Sequence, residues 1–175
     1  ETPQGILAVV PFKNNSIEDI LAGSKPFIIL LDRVQDPGNL GTIIRTADAF
    51  GIDGIIALEG CVDVYNPKVV RATMGSIFRV PIYYYSDGID IINKLKDKGA
   101  RIYSTSLDGK KFIQDVDFKE FSVLIIGNES KGVSETLEEL SDNLIKIPMI
   151  GRAESLNAAV ASSIIMYEAL RQRLQ

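Results

Sequence analysis

The chain has 175 residues, 46% hydrophobic and 24% charged, with a net charge of −4, a single cysteine and no histidine. That length suits one domain with a substantial core, and the missing imidazole removes Ser-His-Asp and Cys-His hydrolases, histidine general bases and nearly every zinc site. No apolar run reaches the roughly 18 residues that span a bilayer, no signal-peptide pattern is visible, and Cys61 alone excludes an internal disulfide and fits a reducing cytosol.

Short β-branched apolar runs alternate with amphipathic stretches, the pattern of a mostly parallel α/β sheet flanked by helices. Residues Thr2 to Gly5 read as a linker, so an upstream domain is expected to be missing or trimmed. Strands are predicted at Ile6–Pro11, Phe27–Asp32, Gly54–Leu58, Val80–Tyr84, Arg101–Thr105, Ser122–Ile126 and Leu144–Ile147. Helices are predicted at Ser16–Leu21, Leu40–Phe50, Pro67–Thr73, Asp87–Lys98, Ser134–Leu140 and Asn157–Arg173. Residues Asp36 to Asn39 form a turn leading to an N-cap, and Gly51 closes that helix. Asn66 and Pro67 open the next one. Gly99 follows Lys94, Lys96 and Lys98, cations suited to a helix C-terminus. The last helix carries Val160, Ile164 and Tyr167 at helical spacing beside the small residues Ala158, Ala159, Ala161, Ser162 and Ser163. Either close packing inside the monomer or a dimer face explains it.

Three segments stand where a strand gives way to a helix, the place where open α/β sheets bind ligands. In the first, Asn39 to Arg45, Thr42, Arg45 and Asp48 share a helical face. A surface Arg45–Asp48 pair is the bland reading and a bidentate phosphate grip is the sharper one. The second, Ile126 to Gly132, follows an apolar strand. It has neither P-loop nor dinucleotide-fingerprint spacing, and Glu129 suits a ligand with hydroxyls or a cationic group. A plain tight turn would also explain it. The third, Ile147 to Asn157, offers Ser155 or Asn157 as a helix cap and could bracket a flat ring between Ile147 and Leu156.

Together these segments resemble the SpoU branch of the SPOUT superfamily, RNA ribose 2′-O-methyltransferases that use S-adenosylmethionine. Asn39 to Arg45, with Thr46, Ala47, Phe50 and Gly51, is similar to the first motif. Gly127, Asn128 and Glu129 through Gly132 are similar to the second, and Ile147 and Pro148 through Ser155, Leu156, Asn157 and Ala161 to the third. The resemblance implies a parallel α/β sheet with a deep C-terminal trefoil knot, a homodimer and no metal. It implies a cofactor site built from Thr105, Ser106, Leu107, Gly127, Asn128, Glu129, Gly132, Ile147, Pro148, Met149, Ser155, Leu156 and Asn157. It also implies a catalytic set of Arg45, Asn39, Glu129 and Asn157, with Arg45 as the principal member and the others fixing loops and substrate. The expected function is methyl transfer to a ribose 2′-hydroxyl of structured RNA, ribosomal RNA before transfer RNA, in the cytoplasm and without a membrane partner. A non-catalytic RNA-binding module that keeps the knot is the reading from another class. With an acidic balance, RNA affinity is expected either from a local basic patch around the cleft, with Lys68, Arg71, Arg79 and Lys131, or Lys110 and Lys111, as candidates, or from an absent upstream domain.

Overall fold

Five consecutive apolar residues, Phe27–Leu31, make β1, and all five are buried because helices cover both faces of the sheet. Phe27, Ile29 and Leu31 point into one core with Leu40, Ile43 and Ile44 of α2 (Pro37–Phe50) and Ile165 and Met166 of α6 (Ala158–Arg173). Ile28 and Leu30 point into a second core with Ile91, Ile92 and Leu95 of α4 (Gly88–Asp97) and Leu137 of α5 (Glu135–Glu139). The fold is therefore a three-layer α/β sandwich. The computed structural model describes residues 5, 8–12 and 15–175.

Six further strands complete the sheet: β2 (Gly54–Leu58), β3 (Ile82–Tyr85), β4 (Arg101–Thr105), β5 (Lys111–Phe112), β6 (Ser122–Ile126) and β7 (Asn143–Lys146). Every pairing is parallel, in the order β3-β2-β1-β6-β4-β7-β5. The late strand β6 is thus inserted between β1 and β4, with Ile29 opposite Leu124 and Ile102 opposite Val123. This order gathers the C-terminal ends of β1, β6, β4 and β7 along one edge, where the loops that follow them meet.

The parallel sheet agrees with the sequence expectation, with local corrections. Helix α2 begins at Pro37, three residues early, because Asp36 is the N-cap and its side chain accepts from the Asn39 N–H at 2.8 Å. Gly51 closes the helix at φ +67, a left-handed position that glycine occupies without a Cβ clash. The strand expected at Val80 starts at Ile82, since Pro81 has no N–H to give a ladder. Strand β5 has no counterpart among the expected strands, two residues being too short for a periodic signal. The strand expected at Ile6–Pro11 has Ile6 and Leu7 outside the described residues, and Ala8–Pro11 form no strand. Thr2, Pro3 and Gln4 of the expected linker also lie outside the described residues. Ser16 and Asp19 form a capping box on α1 (Ile17–Ile20), and Asn66 caps α3 (Pro67–Ala72).

Helices α2 and α6 pack side by side, with Thr46 and Ser163 hydroxyls 3.1 Å apart. The small residues of α6 divide the two roles open from sequence. Ala159 and Ser162 are buried inside the monomer, whereas Val160, Ile164 and Tyr167 stay exposed in a row. At the other end of α6, the Gln172 amide accepts from the Phe118 N–H and donates to the Val116 carbonyl. Arg173 donates to three loop carbonyls, of Lys25, Phe118 and Glu120. These bonds fix the final helix across the sheet.

Candidate functional site

At the C-terminal edge of β6 the chain makes a narrow loop. Asn128 and Gly132 exchange both backbone hydrogen bonds, at 3.0 and 2.9 Å. The Asn128 side chain accepts from the Ser130 and Lys131 N–H groups and donates to the Arg33 carbonyl at 2.9 Å. Gly127 faces the returning limb so closely that a Cβ would sit 2.1 Å from both the Gly132 carbonyl carbon and the Val133 nitrogen. No other residue fits there.

This loop brings Glu129 over the start of α2. Its carboxylate accepts from the Gln35 N–H at 3.2 Å, the Asp36 N–H at 3.0 Å and the Asn39 side-chain amide at 3.0 Å. Burial pushes the Glu129 carboxyl up, but these donors more than offset it and hold it below the ordinary glutamate range. The Asn39 oxygen in turn accepts from the Asn157 side-chain amide at 2.9 Å. Asn157 also caps α6, its oxygen accepting from the Ala159 and Val160 N–H groups. Asn157, Asn39 and Glu129 therefore form one relay joining all three sequence segments. Of the two possible caps it is Asn157 that caps; Ser155 instead lines the adjoining cleft.

Beside the relay opens a cleft of about 520 Å³, within the usual range for small-molecule sites. The end of β4 supplies Thr105, Ser106 and Leu107, and the β6 loop supplies Gly127, Asn128, Glu129 and Gly132. The segment after β7 supplies Ile147, Met149, Ser155 and Leu156. Pro148 and Asn157 are not among the lining residues. Lys131 and Ala161, named from sequence in the basic patch and the third motif, also line the cleft, whereas sequence reasoning missed Asp108, Glu135 and Glu138 in the lining and Ala158 and Ile165 on the α6 side. With apolar Ile147 and Leu156, glycine-shaped close approach at Gly127 and loop backbone around it, the cleft has the chemistry of a flat-ring site.

Arg45 is exposed on the outer face of α2 and does not line the cleft. The surface pair with Asp48 is not made. The Asp48 carboxylate is taken by Arg79 at 2.6 Å and by the Ser76 hydroxyl at 2.8 Å, bonds that lower its pKa. Among the described residues no carboxylate pairs with Arg45.

Two residues at this edge carry no signal in the sequence. Asp32, 4% exposed, receives the Arg33 guanidinium as a fork (2.8 and 3.0 Å) and accepts from the Ser134 N–H at 2.7 Å. Arg33 itself has φ +57, a conformation that strains any residue with a Cβ and collects at functional sites. The pair links the end of β1 to both limbs of the β6 loop. Only the tertiary contact across about a hundred residues reveals it.

No group of three or more Cys, Asp or Glu is placed to hold a metal ion among the described residues, and no helix there is long and apolar enough to cross a membrane. Among known proteins, the chain is 41% identical over 167 residues to the 23S rRNA (guanosine(2553)-2′-O)-methyltransferase RlmP of Bacillus subtilis, covering 95% of this chain and 65% of that protein. It is 39% identical over 179 residues to the 23S rRNA (uridine(2479)-2′-O)-methyltransferase of Streptomyces viridochromogenes, covering 99% and 62%. It therefore spans a little under two thirds of the length of these curated relatives. The crystal structure of the SpoU methyltransferase AviRb from Streptomyces viridochromogenes with the cofactor AdoMet superposes with a TM-score of 0.87 at 36% identity, covering 93% of this chain and 66% of that one. The SpoU rRNA Methylase family model matches residues 26–167, from the first residue before β1 into α6. The chain belongs to the SpoU rRNA Methylase family.

Proposed function

We propose that this chain transfers a methyl group from S-adenosylmethionine to a ribose 2′-hydroxyl of structured RNA, ribosomal RNA before transfer RNA. The observation that carries the reading is the Asn157–Asn39–Glu129 relay, which closes three separate family motifs around one cleft. The ribosomal assignment rests on the activities of the two relatives.

The cofactor fits the cleft on its chemistry. Ile147 and Leu156 offer apolar walls for an adenine ring, and Gly127 lets backbone approach it. Thr105, Ser106 and Leu107, with Asn128, Gly132, Met149 and Ser155, complete the enclosure. Pro148 and Asn157 act from behind the lining by shaping the loop. Bound there, S-adenosylmethionine supplies a methyl group already activated on a cationic sulfonium. What remains for the protein is orientation and removal of the hydroxyl proton, and orientation supplies much of the rate. Arg45 is the catalytic group on the substrate side. Its guanidinium, with no acid partner among the described residues, binds the phosphate beside the target ribose, and the hydroxyl proton passes by way of that phosphate to water as the oxygen takes the methyl group. It is not itself the base, since a guanidinium carries donors only and has no acceptor for a proton. Glu129, with its oxygens already occupied, is a positioning residue, as are Asn39 and Asn157.

Arg45 is exposed on α2, which packs against α3 at Gly41 and against α6 at Thr46, and α6 carries the exposed row Val160, Ile164 and Tyr167. We read that row as the face on which a second copy docks, so that Arg45 serves a composite site in a homodimer. The closing segment, reaching from β7 back to Asn39, is read as the threaded part of a trefoil knot. The free thiol of Cys61 and an RNA substrate suit the cytoplasm.

The direct test is methyl transfer from labelled S-adenosylmethionine to ribosomal RNA, with methylated riboses mapped afterwards. Transfer to a 2′-hydroxyl is expected, and Leu156→Arg is expected to abolish calorimetric cofactor binding by placing a charge in the apolar wall. A wild-type chain that binds no S-adenosylmethionine would overturn the reading.

A further inference from the structure

The turn after α3 is strained and leaves apolar side chains in solvent. Met74 has φ +50 and Gly75 φ +88, two left-handed residues in succession. A left-handed methionine is uncommon, and such strain persists where it holds a group for use. Here it gains no burial in the monomer, as Met74 is 71% exposed and Phe78, four residues on, is 61% exposed. Preceding them on the same outer surface, Lys68 and Arg71 are exposed. Among the described residues neither side chain has an ion-pair partner.

This strip runs beside Arg45. A Cβ on Gly41 would lie 2.3 Å from the Ala72 Cβ, so α2 and α3 touch at the backbone there. One turn beyond Arg45, Asp48 bonds Ser76 and Arg79 of the strained turn. Gly41, Arg45 and Asp48 share one face of α2, which puts Arg45 between the two contacts that fix α3 and its turn. Arg79 is already neutralised by Asp48, so the free cations of the strip are Arg45, Lys68 and Arg71.

We propose that Lys68, Arg71, Met74 and Phe78 form a docking track for the RNA strand flanking the target nucleotide, continuous with Arg45. The proposal rests on the RNA-modifying reading above and extends it to a stretch of surface outside the cleft. The two cations hold consecutive phosphates, and exposed Phe78 and Met74 offer apolar side chains on which an unstacked base lies. The charge pattern favours RNA over a second copy of the chain. An isologous contact would bring the cations of one copy against those of the other. The strip's own acid, Asp48, is committed to Arg79. The nearest acid before α3, Asp63, is engaged by the Tyr65 N–H and the Tyr84 hydroxyl.

The test measures binding of a labelled single-stranded 20-mer RNA of mixed sequence to the full chain by fluorescence anisotropy over a range of salt. Lys68→Ala with Arg71→Ala is expected to weaken binding and to flatten the salt slope by about 1.4, roughly 0.7 for each phosphate no longer neutralised on a single strand. Phe78→Ala should weaken binding roughly 5- to 100-fold with the slope unchanged. Met74→Gly separates function from folding, because relief of strain should raise the melting midpoint by roughly 2–4 °C while RNA affinity falls. Calorimetric affinity for S-adenosylmethionine should be unchanged in all of them, so failure of the cofactor reading is scored separately. An unchanged slope in the double variant, or a wild-type chain that does not bind the 20-mer, would overturn the track. So would Phe78→Ala if it splits a dimer in sedimentation and leaves RNA affinity intact.

Discussion

Glu129 is where the loops of the site are held together, and its ionised form does the holding. Backbone donors at Gln35 and Asp36 and the Asn39 amide all need a carboxylate acceptor. Burial raises its pKa, these donors lower it by more, and the net shift is downward. A carboxyl whose pKa is lower folded than unfolded stabilises the protein above the unfolded value, and that stability is lost as pH falls through the folded value. Melting midpoints are therefore expected to drop on acidification below the ordinary glutamate range. Glu129→Gln should flatten that part of the profile, because an amide cannot titrate and accepts with one oxygen only. A variant profile identical to wild type would remove Glu129 from the acid limb. Arg45 makes the complementary case. Arg45→Ala should lower methyl transfer about 10²- to 10³-fold, the usual effect of deleting one preorganised charge-stabilising donor. Calorimetric affinity for S-adenosylmethionine should hardly change, since Arg45 lies outside the cleft; near-normal turnover would exclude it from the chemistry. Both residues were legible in the sequence by motif. Their partners were not: the Arg45–Asp48 pair suggested by helical spacing gives way to Arg79, which approaches Asp48 from 31 positions away.

Between elements, α2 and α3 meet in close backbone contact at Gly41. Gly41→Ala is expected to destabilise the fold by about 1–3 kcal/mol, the usual effect of overpacking a tight contact, because the new methyl would lie 2.3 Å from the Ala72 Cβ. Adding Ala72→Gly should recover part of that loss in denaturant unfolding, and additive losses would place the strain elsewhere. Pattern and punctuation located nearly every element here. Continuous apolar runs marked β1, β2 and β6, and Asp36, Asn66 and Gly99 marked helix ends. The misses have local causes. Pro at N1 let α2 begin early, and β5 was too short to carry a period. The strain at Arg33 and Met74 was invisible because neither residue type announces a left-handed backbone.

For the whole molecule, the exposed row on α6, whose Tyr167 ring meets Phe50 of α2, is the face from which the proposed assembly is argued. Ile164→Glu should convert a dimer to a monomer in sedimentation and reduce methyl transfer along with it, as a charge on an apolar interface remains unpaired when buried. A variant that stays dimeric would move the interface away from α6. The net charge of −4 leaves room at this scale for a local cationic surface, because Arg45, Lys68 and Arg71 on α2 and α3 have no ion-pair partner among the described residues. The sequence alone determined the layered α/β class, most helix and strand positions and three candidate loops, since these follow from local periodicity, turn residues and motif spacing. The tertiary structure alone decided that β6 lies between β1 and β4, that Asn157, Asn39 and Glu129 form one relay, and that Asp32 and Arg33 brace it. The relay contacts join residues some 90 to 118 positions apart, and a separation of that size leaves no period in the chain.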